Sequence, residues 1–157
     1  MIRDDGQGDV VAFLAASATH AGATPVETIA THISRIFLAG DRVFKLKRAV
    51  VLPYVDFSTP ALRLAACTKE VALNSVTAPS LYRGVRRITR EKDGLAFDGG
   101  GPLADAVVEM RRFDQSALLD RMAEAGALTP DLMTATARMI ARFHGKAPVI
   151  HAGGGAA

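Results

Sequence analysis

Lys45 and Lys47 alternate along the run R-V-F-K-L-K, and Glu70 follows 25 positions after the first of them. An ammonium on a stiff strand, faced by a carboxylate on a neighbouring helix, makes one chemistry available. The carboxylate fixes a lysine that would otherwise wander, and the fixed cation meets phosphate oxygens as a preorganised partner. Side-chain alternation puts Val43, Lys45 and Lys47 on one face of the strand and Phe44 and Leu46 on the other. If Phe44 and Leu46 enter a core, two readings of the opposite face stand. Either both lysines are solvated charges on an outer sheet surface, or one of them awaits a phosphate.

The elements that must position these groups can be read around the stretch Thr31 to Arg48. Arg35 to Leu38 and Val43 to Lys47 are rich in β-branched and aromatic residues, and the Gly40 and Asp41 between them supply the turn of a β-hairpin. Upstream, Val10, Phe13, Leu14 and Ser17 recur at helical spacing, which predicts a helix over Asp9 to Thr19 closed by Gly22 and Pro25. A brief strand from Val26 to Ile29 then makes Ala30 to Ser34 a connection at a strand tip.

Downstream, an apolar run from Ala49 ends at Pro53, and Ser58 or Thr59 caps a helix that opens at Pro60 and reaches about Asn74, carrying Glu70. Leu81 to Thr89 and Leu95 to Phe97 read as strands around the turn E-K-D-G, followed by Gly99, Gly100, Gly101 and Pro102. The apolar run Ala104 to Met110 reads as a strand buried on both faces. Two helices complete the pattern. The first covers Ala117 to Glu124, capped by Asp114 or Ser116 and stopped by Gly126. The second opens at Thr129-Pro130 and runs to about His144, with a broad apolar stripe from Leu132 to Phe143.

This order predicts an α+β chain of three parts. Residues 1–113 form an antiparallel sheet of about five strands with one packed helix and a leading helix, 114–148 form a helical segment, and 149–157 form an unstructured tail. With 49% hydrophobic and 22% charged residues the chain can fill a core, mostly with Ala, Val and Leu because Trp is absent. A formal charge of +3 is too small to argue a nucleic-acid partner, although Arg83, Arg86, Arg87 and Arg90 gather on one strand without interleaved aromatics. Cys67 is alone, so neither an internal disulfide nor a cysteine metal site can form, and its apolar neighbours predict a buried thiol. The patch Val10 to Ala16 is too short for a transmembrane span and no secretory cleavage pattern accompanies it, so a cytoplasmic protein without membrane contact is expected.

Beyond these patterns, E-T-I-A-T-H-I-S-R-I-F-L-A-G-D-R-V-F-K-L-K-R, V-D-F-S-T, K-E-V-A-L-N, A-P-S-L-Y-R-G-V and V-E-M-R-R-F occur in an order and spacing that resembles the aminoglycoside phosphotransferase-like kinase family. The resemblance covers roughly Val26 to Pro148 and is nearest to the N-terminal part of long bacterial proteins that join such a kinase to an ATPase. It implies a protein-kinase-like N-terminal lobe that binds ATP with magnesium. Lys45 would then be the phosphate-contacting lysine, since the family's motif sets the lysine directly after an aromatic, with Lys47 as its rival and Glu70 as the helix partner. The loop Thr31 to Ser34 would replace the glycine-rich phosphate loop, using backbone N–H groups and the Thr31 or Ser34 hydroxyl. Adenine would be read at a hinge, by the Glu109 carbonyl and the Arg111 N–H.

The family's catalytic H-G-D-type loop and its metal-binding Asn and Asp do not occur in this sequence. Phe143-His144-Gly145-Lys146 has Lys146 where the Asp would stand. The resemblance therefore implies an ATP-binding lobe that catalyses nothing alone. An alternative of another class is a non-catalytic interaction module, in which the Leu132 to Phe143 stripe meets a second copy or the missing C-terminal lobe.

Overall fold

The computed structural model describes residues 6–22 and 25–149. The chain divides into two compact units, Met1–Phe113 and Asp114–Ala157. In the first, six strands form one antiparallel sheet: β1 (Glu27–Ala30), β2 (Ser34–Ala39), β3 (Arg42–Lys47), β6 (Tyr82–Glu91), β7 (Gly94–Phe97) and β8 (Leu103–Arg111). Their order across the sheet is β1-β2-β3-β8-β6-β7. A separate small hairpin pairs β4 (Val51–Leu52) with β5 (Val55–Asp56). The sequence pattern shows only an apolar run here, because a strand of two residues carries no periodicity.

The last strand in sequence, β8, lies in the middle of the sheet, between β3 and β6. Its residues Asp105 to Glu109 are all buried, which explains the near-continuous apolar run. Each face of the sheet carries one helix. Phe37, Phe44, Leu46 and Val107 pack with Val10 and Leu14 of α1 (Gly8–Ala15). On the opposite face Ala106 and Val108 pack with Cys67, Leu64 and Val71 of α2 (Pro60–Asn74). Thr59 caps α2 by accepting the Leu62 N–H, and Pro60 opens its first turn.

The leading helix stops at Ala15, earlier than its apolar spacing predicts, and a 3₁₀ turn over Ser17–His20 follows. The Thr19 hydroxyl donates to the Phe13 carbonyl at 2.6 Å and His20 Nε2 to the Leu14 carbonyl at 2.8 Å. Side chains thus satisfy the carbonyls that a longer helix would have used. His20 is buried against the Phe44 ring, 4.8 Å between centroids.

The glycine run has a steric cause at two of its members. Gly99 and Gly101 lie over β6, where their N–H groups donate to the Thr89 hydroxyl (3.1 Å) and to the Glu91 carboxylate (2.9 Å). A Cβ on Gly101 would meet the Arg90 carbonyl oxygen, and one on Gly99 would meet the Glu91 carboxylate.

Beneath α2 lies an ion pair removed from water. Arg63 and Asp105 have side chains 4% and 0% exposed, and Arg63 Nε and Nη2 donate to the two carboxylate oxygens at 2.8 and 2.9 Å. Arg63 Nη1 donates to the carbonyls of Phe57 and Ser58. Gln7 adds a third donor to Asp105 at 2.7 Å while bonding the Lys47 carbonyl and the Ala49 N–H. The start of α1, the end of β3, the start of β8 and the first turns of α2 therefore share one polar knot.

In the second unit, Asp114 accepts the Ser116 N–H to start a 3₁₀ turn over Gln115–Ala117, so that α3 (Leu119–Glu124) begins two residues later than the sequence predicts. Gly126 adopts a left-handed φ of 65° after α3. Thr129 then caps α4 (Pro130–Lys146). Neither α3 nor α4 contains a buried residue. The expected tail lies outside the described residues from 150 onward. Among the described residues no helix is long and apolar enough to cross a membrane.

Removing one partner of a buried pair leaves the other charged and unpaired, so Arg63→Ala should destabilise the first unit by about 3–5 kcal/mol. Urea unfolding followed by circular dichroism measures this. A loss under about 1 kcal/mol would mean that water reaches Asp105.

Candidate functional site

Two local patterns build the site. In β3 the alternation sends Phe44 and Leu46 into the α1 core and turns Lys45 and Lys47 toward α2. In α2, Arg63, Cys67, Glu70 and Asn74 recur at helical spacing on the face that meets the sheet. The polar members of that face each find a partner on a different strand. Arg63 holds Asp105 of β8, Glu70 holds the lysines of β3, and Asn74 Nδ2 donates to the Tyr82 hydroxyl of β6 at 3.0 Å.

Glu70 divides its two oxygens between the lysines. Lys45 Nζ donates to Oε1 at 2.9 Å, and Lys47 Nζ donates to Oε2. The reading of both lysines as solvated surface charges is overturned, because α2 covers that face. The Lys45, Lys47 and Glu70 side chains are 28%, 8% and 11% exposed. Lys47 also stands 5.7 Å above the Phe57 ring centroid. Burial pushes the Glu70 carboxyl up, but hydrogen bonds from Lys47 and Lys45 and the charges of both outweigh it and hold it below its ordinary value. With two cations and one anion the cluster carries one net positive charge.

Next to this cluster is the loop between β1 and β2. Ser34 pairs across the hairpin with Lys47, which places both side chains on the same face. Ser34 is 1% exposed, and among the described residues its hydroxyl has no hydrogen-bond partner. The Thr31 hydroxyl is already engaged, accepting the Ser34 N–H at 3.1 Å and donating to the Ser34 carbonyl at 3.0 Å. Arg48 takes up the loop carbonyls. Its Nη1 reaches Thr31 and His32 at 3.4 and 3.2 Å, and its backbone N–H donates to Ile33 at 2.9 Å. Among the described residues the N–H groups of His32 and Ile33 make no hydrogen bond. The loop thus leaves two amide donors unused while an arginine occupies its acceptors, an arrangement that suits an anion.

Two residues assigned to adenine recognition need correction. Glu109 lies in mid-ladder, opposite Phe44 on one side and Gly84 on the other, so its main chain belongs to the sheet. Its side chain is buried among Arg42, Arg83 and Arg86, at 2.8, 3.6 and 3.0 Å. The Arg111 N–H is spent on the Leu81 carbonyl at 2.8 Å. Sheet pairing continues further along β8 than the apolar pattern of the strand reveals.

Cys67 lies under the cluster, and burial pushes its thiol up to about 12, so it is packing material and not a nucleophile. Among the described residues no three His, Cys, Asp or Glu side chains gather in a way that could hold a metal ion. No local sequence pattern joins Gln7, Arg63 and Asp105. The available signal was Asp105, a carboxylate inside an otherwise apolar run.

The chain is similar to uncharacterized proteins of Mycobacterium tuberculosis and Mycobacterium bovis. With each it shares 38% identity over 117 residues, which is 74% of this chain and 22% of the relative. It therefore spans little more than a fifth of the length of the curated relatives it matches. No family model matches the chain, and no solved structure matches it.

Because its folded-state pKa lies below the ordinary 4.5, Glu70 contributes stability that is fully present above that pH and disappears as pH falls through the folded value. Thermal melts between pH 7 and 3 should show wild type losing stability more steeply below 4.5 than Glu70→Gln. Parallel acid profiles for the two proteins would contradict the role given to the carboxylate.

Proposed function

We propose that the first unit is the ATP-binding N-terminal lobe of an aminoglycoside phosphotransferase-like small-molecule kinase. The observation that carries this reading is Glu70 gripped by Lys45 and Lys47 beside a loop with unused amide donors. In protein kinases a lysine on the third strand pairs with a glutamate on the helix that follows, and the pair meets the α- and β-phosphates of ATP. Here the lysines are on the third strand of the sheet and Glu70 is on the first long helix after it. A strand order in which β3 and β6 flank the last strand, β8, also supports the reading.

In this proposal Lys45 and the His32 and Ile33 amides take phosphate oxygens, with Ser34 at the loop's end. Magnesium accompanies the nucleotide. No H-G-D-type segment stands in residues 1–157 to supply the catalytic base. This stretch by itself binds nucleotide and transfers no phosphate, and it works in a cytoplasmic protein whose remaining lobe performs the chemistry.

Mg-ATP at about 100 times its Kd should stabilise the protein by about 2.7 kcal/mol, and Lys45→Ala should cut the shift by about half or more. Differential scanning fluorimetry reads both outcomes. No shift at millimolar Mg-ATP would sink the proposal.

A second reading is favoured by α4, on which Met133, Met139, Ile140 and Phe143 are 44, 45, 45 and 40% exposed. Such a face suits a second copy of the chain. Light scattering should then show a concentration-dependent dimer that disappears in M139E/F143E. A monomer at every concentration would exclude it.

A further inference from the structure

Two lysines on one carboxylate is one more than a phosphate clamp needs, and their surroundings differ. Lys47 is 8% exposed, faces the Phe57 ring, and its own carbonyl is held by Gln7. Its strand position opposite Ser34 is fixed by the hairpin ladder. Lys45 is 28% exposed, stands opposite Ile36 and Val108, and has Glu70 as its hydrogen-bond partner. Both oxygens of Glu70 are engaged, one by each ammonium. If the more exposed lysine turns toward an incoming phosphate, the buried carboxylate keeps the other cation and is not left unpaired.

We propose that Lys47 is the resident counter-ion of Glu70, a positioning residue that never leaves it, and that Lys45 is the exchangeable cation that a nucleotide phosphate takes. This assignment rests on the nucleotide-binding reading of the same site. A single lysine would have to serve carboxylate and phosphate together, and each move toward the ligand would weaken its hold on a buried anion. With two, the net positive charge of the cluster is free for the ligand, while the tie between β3 and α2 stays intact.

The test compares Lys45→Met and Lys47→Met without ligand and in Mg-ATP titrations by calorimetry. Lys45→Met should melt within about 3 °C of wild type and bind Mg-ATP at least tenfold more weakly. Lys47→Met should lose roughly 10 °C or more in the absence of any ligand. Adding Glu70→Gln to it should restore at least half of that loss, which a packing role for the lysine stem would not allow. Equal melting losses in the two single variants, or no recovery in K47M/E70Q, would overturn the assignment.

If Lys47→Met does not fold, side-chain ¹⁵N spectra of the wild type decide. Mg-ATP should shift the Lys45 ammonium and leave Lys47 in place, and movement of Lys47 alone or of both would refute the division. Failure of wild type to bind Mg-ATP would instead defeat the nucleotide reading, and the ligand-free melting order would still judge the counter-ion assignment.

Discussion

The placement of α2 depends on the buried pair between Arg63 and Asp105. A helix is rigid over two turns, so fixing Arg63 near its start also fixes where Glu70 stands seven residues later. From there the carboxylate meets the two ammonium groups that alternation on β3 has turned to the same face. Gln7 ties the same knot to the end of β3 through the Lys47 carbonyl. The site is thus held from both sides by one desolvated interaction, whose charges are too well bonded to leave each other.

A sheet covered on both faces sets the character of that site. One face is apolar where α1 meets it, and Phe44 and Leu46 are fully buried there. On the other face Ala106 and Val108 form an apolar floor against which Cys67 of α2 packs, and Glu70 and Asn74 of α2 make their polar links to β3 and β6 beside it. Such a floor excludes water, which by itself would push the Glu70 carboxyl up, and the hydrogen bonds and charges of Lys47 and Lys45 outweigh that and keep it below its ordinary value. Nearby, Arg48 occupies the Thr31, His32 and Ile33 carbonyls of a glycine-free loop in which, among the described residues, the His32 and Ile33 amides make no hydrogen bond.

Much of this was legible in the residues. The hairpin, the cap at Thr59 and Pro60, and the helix to Asn74 depend on local rules, and local rules can be read locally. Asp105 was harder, because its partner Arg63 is 42 positions away and nothing in either neighbourhood names the other. The family resemblance implies that the Glu109 and Arg111 main chains are free to read adenine. They are not, because β6 and β3 extend alongside, and the length of a partner strand is not written in the strand it pairs with.

The sequence by itself determined that Lys45 and Lys47 share a face and that Glu70 rides on a helix, because both follow from the two- and 3.6-residue periods of the backbone. It could not decide between two solvated lysines and a buried cluster, nor between one lysine and the other. Tertiary structure decided the first. Only the docking of α2 onto the sheet brings a third charge within reach, and the resulting geometry gives Glu70 a partner for each oxygen.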